Sequence, residues 1–262
     1  MGKYILKRIA LAIVTIWAVA TITFFLMNLV PGGPFLSEKA ISPAATKALE
    51  AKYGLDKPMA ERYFTYISDA AHGDFGDSLK QRGRTVMDII ATKFPVSARL
   101  GGMAVVLALC VGVPLGVLAA YKRGTFIDSL FSVIATCGIA VPGFVICTLL
   151  LYVFGVKLQW LPTLGLKSAQ SYIMPVVALA AYPTSYIMRL MRSSMLDVLG
   201  QDYMRTAKAK GLSQKVSLFK HALRNAILPV ITYVGPMLAY TLTGSFVTEK
   251  IFTIPGLGGE FI

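Results

Sequence analysis

Apolar residues in this chain are gathered into blocks rather than spread evenly. Five runs contain no Asp, Glu, Lys or Arg: Ile9–Val30, Leu100–Tyr121, Ser129–Val156, Ser168–Met188 and Asn225–Thr248. The ~30 Å hydrocarbon core of a bilayer is crossed by about 20 helical residues, so each run is long enough to span it. Backbone N–H and C=O groups in lipid must be paired within their own segment, which predicts helices and not strands. The third run is long enough to tilt or to include a turn. Pro114, Pro142, Pro175, Pro183, Pro229 and Pro236 fall inside these runs and predict kinks or helix starts.

Two polar segments separate the runs. Within residues 31–99, Ser42 can cap a helix, Pro43 suits its first position and Gly54 its stop. A second helix is expected over Pro58–Ala71, ending at Gly73. A third, Thr85–Phe94, sets Val86, Ile89, Ile90 and Phe94 on one face, which suits a helix lying on a membrane surface. The segment reads either as a small packed cap or as a docking surface for an external partner. In residues 189–224, a helix is expected over Asp197–Lys210 with Gly200 as its one breaker. Gly211 is its stop, and Ser213 caps a second helix, Gln214–Arg224. Thr206, Ala207, Ala209 and Gly211 are small, and Arg205, Lys208 and Lys210 lie between them. That pattern fits a solvated helix over lipid phosphates, or one that docks in another protein's groove.

Composition agrees with the blocks. Hydrophobic residues are 55% and charged residues 15%, against ~45–50% and ~25% in soluble domains. A soluble enzyme, a disordered chain and a disulfide scaffold are excluded. Net charge is +13, and its distribution sets the orientation. Lys3, Lys7 and Arg8, then Lys122 and Arg123, then the basic 189–224 segment fall on one side if spans alternate. That side is read as cytoplasmic, with the N-terminus there and 31–99 outside. The first run has a basic start but too long a core and no small-residue cleavage site, so it reads as a retained span and not a signal peptide. Five spans put the two ends on opposite sides, and a further span beyond Ile262 is expected.

No G-x-x-x-x-G-K-[ST] or H-E-x-x-H motif occurs, and the histidines are His72 and His221. The charge-free runs contain no carboxylate, which argues against a proton-driven carrier. Work must then come from a partner, and the 189–224 segment is the sizeable surface to receive it. Paired carboxylates, a His cluster or a Ser/His pair for a membrane-embedded enzyme are not found. Cys110, Cys137 and Cys147 read as small buried hydrophobes. Candidate path residues are the hydroxyls within or beside the spans: Ser132, Thr136, Thr241, Thr243 and Ser245. Each has a plainer reading, a bond to the carbonyl one turn back. Trp160 suits an interfacial anchor and Trp17 suits packing.

The stretch Asp202-Tyr203-Met204-Arg205-Thr206-Ala207-Lys208-Ala209-Lys210-Gly211-Leu212, followed by His221-Ala222-Leu223-Arg224-Asn225-Ala226-Ile227-Leu228-Pro229, resembles the cytoplasmic loop of binding-protein-dependent ABC importer permeases. The general signature opens Glu-Ala-Ala; here those places hold Arg205, Thr206 and Ala207, and the distance from Gly211 to Pro229 is longer, as in the peptide and nickel branch. His72-Gly73-Asp74-Phe75-Gly76-Asp77-Ser78 with Phe94-Pro95-Val96-Ser97-Ala98 resembles the approach to span two in the oligopeptide permease B subunits. Gly244-Ser245 through Glu249, then Ile254-Pro255-Gly256-Leu257-Gly258, resembles their stretch after span five.

The resemblance implies an all-α, polytopic membrane helix bundle of the type I ABC importer permease class, one domain over 1–262, with five of six spans present. It implies a multi-pass permease of a bacterial inner membrane that is not itself an enzyme and binds no cofactor. ATP and Mg would sit on two partner ATPase subunits. A second permease would complete the path, and an external binding protein would deliver an oligopeptide or dipeptide. Arg205, Thr206, Ala207, Lys208, Ala209, Lys210, Gly211 and Leu212 would contact the ATPase. Nickel or another small solute is the alternative cargo, and a non-transporting membrane scaffold the alternative role.

Overall fold

A computed structural model describes residues 1–29, 54–78, 81, 83–213 and 216–261. The chain divides into two compact units, Met1–Ile90 and Ala91–Ile262. The helix expected from Ser42 lies largely outside the described residues.

In the first unit, α1 spans Gly2–Leu29 and buries none of its side chains. Its apolar residues run all round, the pattern of a helix whose surroundings are themselves apolar. Trp17, expected to pack, is exposed. The amphipathic α2, Met59–Ala71, lies against the end of α1. Tyr63 and Thr21 share a hydroxyl hydrogen bond of 2.8 Å, and Arg62 donates to Asn28 Oδ1 at 2.6 Å. Phe24 and Phe25 pack edge-on or stacked against Tyr63 and Tyr66.

α3, Val86–Tyr121, is one helix of 36 residues carrying Pro95 and Pro114. The separate surface helix expected over Thr85–Phe94 is therefore corrected: those residues are the first turns of the second span. The third apolar run is broken. α4, Phe126–Ala140, and α5, Gly143–Leu150, with its π-helical extension Leu151–Lys157, meet at a bend of 103°. Val141 precedes Pro142 and takes extended φ −75° and ψ 123°, because the proline ring denies the preceding residue the helical region. A 3₁₀ turn, Ala169–Tyr172, leads into α6, Ile173–Leu199. α7, Asp202–Ala209, is separated from α6 by Gly200 and Gln201, so the single helix expected over Asp197–Lys210 is two. A π-helical turn Ser217–Ala222 and α8, Leu223–Ala226, precede α9, Leu228–Leu242, and α10, Phe246–Ile251. Among the described residues, four helices are long and apolar enough to cross a membrane, or five if the bent pair counts as one span. No strand occurs among the described residues, and the chain is an all-α polytopic bundle.

Close packing of α3 on α6 uses missing side chains. Gly112 and Gly116 are four apart and so share one helix face. A Cβ on Gly112 would lie 2.8 Å from the Thr184 carbonyl oxygen, and one on Gly116 would lie 2.6 Å from that of Met188. Small residues at this spacing let membrane helices approach closely enough for van der Waals attraction to hold them. Cys147 is buried, whereas Cys110 and Cys137 are exposed. Gly116→Val should lower the thermal stability of the detergent-solubilised protein by about 1–3 kcal/mol through overpacking. Gly102→Val, where a Cβ meets nothing within 4 Å, should cost far less. Equal melting shifts for the two would contradict this packing.

Candidate functional site

Three features of the second unit bear on function: a chamber, a pair of separate buried carboxylates and the 189–224 segment.

The chamber has a volume of about 600 Å³ and lies where helices are interrupted. Its wall includes Pro142 at the α4–α5 break, Pro183 inside α6, Pro236 inside α9 and Ser245 at the head of α10. Each proline removes a backbone donor. Irregular backbone at membrane depth is tolerated where it lines a cavity or is covered by protein. Tyr182, Tyr233 and Tyr240 face the same space, which no Asp, Glu, Lys or Arg among the described residues lines. Tyr186 stacks on Tyr182 at 6.3 Å and meets Tyr233 at 4.5 Å.

The predicted path hydroxyls divide. Ser245 lines the chamber and caps α10, accepting from Thr248 N at 3.4 Å. Ser132 and Thr136 line a separate cavity of about 150 Å³ with Arg189 and Arg192. Thr241 is buried and donates to Met237 O at 2.8 Å; Thr243 is exposed and donates to Ala239 O at 3.0 Å. Thr136 likewise donates to Ser132 O at 2.8 Å. For these three threonines the one-turn-back bond is what the structure holds.

Two buried carboxylates, Asp128 and Glu249, sit just outside the charge-free runs, one residue beyond the ends of the third and fifth. Asp128 lies in the first turn of α4 and accepts from Arg192 on α6, with Nε at 2.6 Å and Nη2 at 2.9 Å, and from Gly124 N at 3.0 Å. This fork geometry ties α4 to α6. Glu249 on α10 is 1% exposed. Ser97 of α3 donates to its Oε1 at 2.7 Å, and Gly259 N donates to Oε2 at 3.1 Å. Ser97 Oγ also accepts from Leu257 N at 2.8 Å. A Cβ at Gly256 would lie 2.5 Å from the Glu249 carboxylate and one at Gly258 2.9 Å, so the glycines here are what let backbone reach the charge. Lys93 and Glu260 add an ion pair between the same α3 and the end of the chain. Sequence reading missed this knot. Its only local trace is an acidic residue followed by Ile254-Pro255-Gly256-Leu257-Gly258.

In the 189–224 segment, Gly211 takes φ +73° with open space around it. The turn after α7 is thus left-handed, as its glycine requires. Ser213 caps the chain beyond: its carbonyl accepts from Ser217 N at 3.0 Å and its Oγ from Val216 N at 3.5 Å. Arg205, Thr206, Ala209, Lys210, Gly211 and Leu212 are exposed, and Lys208 lies on the same helix. Ala207 faces inward at 7% exposure, and Met204 is 1% exposed among Met191, Met195, Ala222 and Ala226. The predicted contact stretch is therefore the second half of one short helix and the turn after it, and Ala207, expected as a contact, is corrected to a buried position. Arg205 and Asp202 pair across one turn at 3.6 Å, both largely in solvent, which contributes little.

Comparison with known proteins covers the whole chain. The family model described as "Binding-protein-dependent transport system inner membrane component" matches residues 112–262, and the one for the N-terminal part of such membrane components matches residues 1–101. The oligopeptide transport system permease protein OppB of Salmonella typhimurium is 44% identical over 264 residues, covering 100% of this chain and 86% of that protein. The dipeptide transport system permease protein DppB of Bacillus subtilis is 45% identical over 262 residues, covering 100% and 85%. OppB of Escherichia coli is 42% identical with coverage of 100% and 86%.

Ser97→Ala removes a donor to Glu249 and the acceptor of Leu257 N–H. It should destabilise the 254–260 segment by about 1–3 kcal/mol. Faster amide hydrogen exchange at Leu257 and Gly259, with α6 amides unchanged, is the expected readout.

Proposed function

This chain belongs to the family of binding-protein-dependent transport system inner membrane components, and on that footing we propose that it is the permease subunit of an ATP-driven importer of oligopeptides or dipeptides. It is a multi-pass membrane protein and a transport subunit rather than an enzyme. The observation that carries the peptide assignment is identity of 44–45% along the entire chain to permeases named for oligopeptide and dipeptide transport.

In this reading the N-terminus and the 189–224 segment face the cytoplasm, and residues 31–99 face outward toward a peptide-binding protein. A second permease completes the path, and two ATPase subunits, which hold the ATP and its Mg²⁺, grip α7. The lever is short. Its exposed residues Arg205, Thr206, Ala209, Lys210, Gly211 and Leu212 meet the ATPase, while Met204 roots it among Met191 and Met195 of α6. Movement of α7 is therefore imposed on the cytoplasmic end of α6. The Asp128–Arg192 fork passes it to α4, whose far end is one lip of the chamber. A ligand shifts such a system only through unequal affinity for its two states. ATP supplies that inequality by closing the ATPase pair.

Reconstituted with its partner permease, ATPases and binding protein, the wild-type chain should hydrolyse ATP in response to peptide and accumulate that peptide in vesicles. Absence of both would reject the reading. Gly211→Val places a β-branched residue at a left-handed φ, costing about 1–2 kcal/mol. It should insert normally but lose roughly tenfold in uptake. Lys210→Cys should be labelled by an impermeant maleimide in inverted vesicles and not in intact cells.

A further inference from the structure

We propose that Arg189 and the Ser132 hydroxyl form a carboxylate-binding station, walled by Thr136, at the cytoplasmic end of the peptide's route. The proposal rests on the importer reading above.

The chamber places the demand. A peptide carries a carboxylate at its C-terminus, and the described residues lining the chamber offer no cation to meet it. A carboxylate moved into an apolar membrane interior without a partner is strongly disfavoured. The helix faces that leave the chamber supply one. Ser132, Thr136 and Ile139 are spaced i, i+4, i+7 on α4, and Ile139 lines the chamber. On α6, Tyr182, Tyr186 and Arg189 have the same spacing, and Tyr182 lines the chamber. Residues so spaced share one helix face. Two neighbouring stripes therefore run from the chamber to the cavity of about 150 Å³, roughly 10 Å along the helices from Ile139 to Ser132.

The cavity's electrostatics are selective. Arg192 is neutralised by Asp128 through both Nε and Nη2. Arg189 has no ion-pair or hydrogen-bond partner among the described residues, and neither does the Ser132 hydroxyl. One uncompensated guanidinium and one free hydroxyl thus face the same space. Its volume equals about five waters at ~30 Å³ each, which is room for one carboxylate and residual solvent. A guanidinium accepts a carboxylate with two parallel hydrogen bonds. Tyr182 and Tyr186, stacked along the way, present faces and hydroxyls to the peptide without charge.

The test uses the complete reconstituted importer and one peptide in two forms, free carboxylate and C-terminal amide, each given at a concentration that loads the binding protein equally. Wild type should transport the free acid faster. Arg189→Gln should slow the free acid by about tenfold, the scale of one lost charge-assisted bond, and leave the amide rate unchanged. Arg189→Lys should restore part of the preference. In a second arm, a peptide ending in a photoreactive benzoylphenylalanine should crosslink to residues 132–139 or 185–192 as the free acid and not as the amide. Equal slowing of both peptides by Arg189→Gln, or equal crosslinking by both, would overturn the station. Failure of wild type to transport either form would instead reject the importer reading.

Discussion

Backbone hydrogen bonding in a waterless surrounding governs this fold. Lipid offers no partner for a free N–H or C=O, so every crossing segment must be helical, and every interruption must be covered or must line a space. The chain is interrupted at Val141–Pro142 and carries prolines in its helices at Pro183 and Pro236, and those positions share one chamber. The same rule explains the knot at Glu249. A carboxylate held at 1% exposure survives there because a serine hydroxyl and a backbone N–H point at it, and glycines let that backbone come near.

Close approach sets the rest of the packing. Without a hydrophobic driving force between helices in lipid, attraction comes from contact. Gly112 and Gly116 bring α3 onto the backbone of α6. The fork from Arg192 to Asp128 then fixes α4 on another side of α6. α6 thus holds both α3 and α4, and the short helix α7, rooted by Met204, packs between Met191 and Met195 of α6 and the re-entering chain at Ala222 and Ala226. The position of Met204 in the core cluster turns a surface feature into a mechanical one.

Much of this was legible in the sequence. Charge-free runs located the apolar segments because a single Lys or Asp in lipid is costly, and Gly211 announced its left-handed turn. The break at Val141 was legible in kind, since a residue before proline avoids the helical region, but not its angle. The split of Asp197–Lys210 at Gly200 was not predicted. Helix propensity permits continuation there, and the chain turns because Met204 finds a buried site formed by α6 and the re-entering chain. Glu249 was hidden for a similar reason: its partner Ser97 is 152 residues away, and nothing local reveals that glycines 256 and 258 close over it. The hydroxyl candidates misled in part because a threonine that bonds its own helix looks the same in sequence as one that faces a path.

α1 gives up no side chain to the interior of this polypeptide. Swapping one aliphatic residue for another on its exposed positions leaves intact its contacts among the described residues, which run through Thr21, Phe24, Phe25 and Asn28 to α2. An exposed position on it that proves intolerant to such swaps therefore marks a contact beyond those of the described residues, and a saturation scan of this helix would outline it.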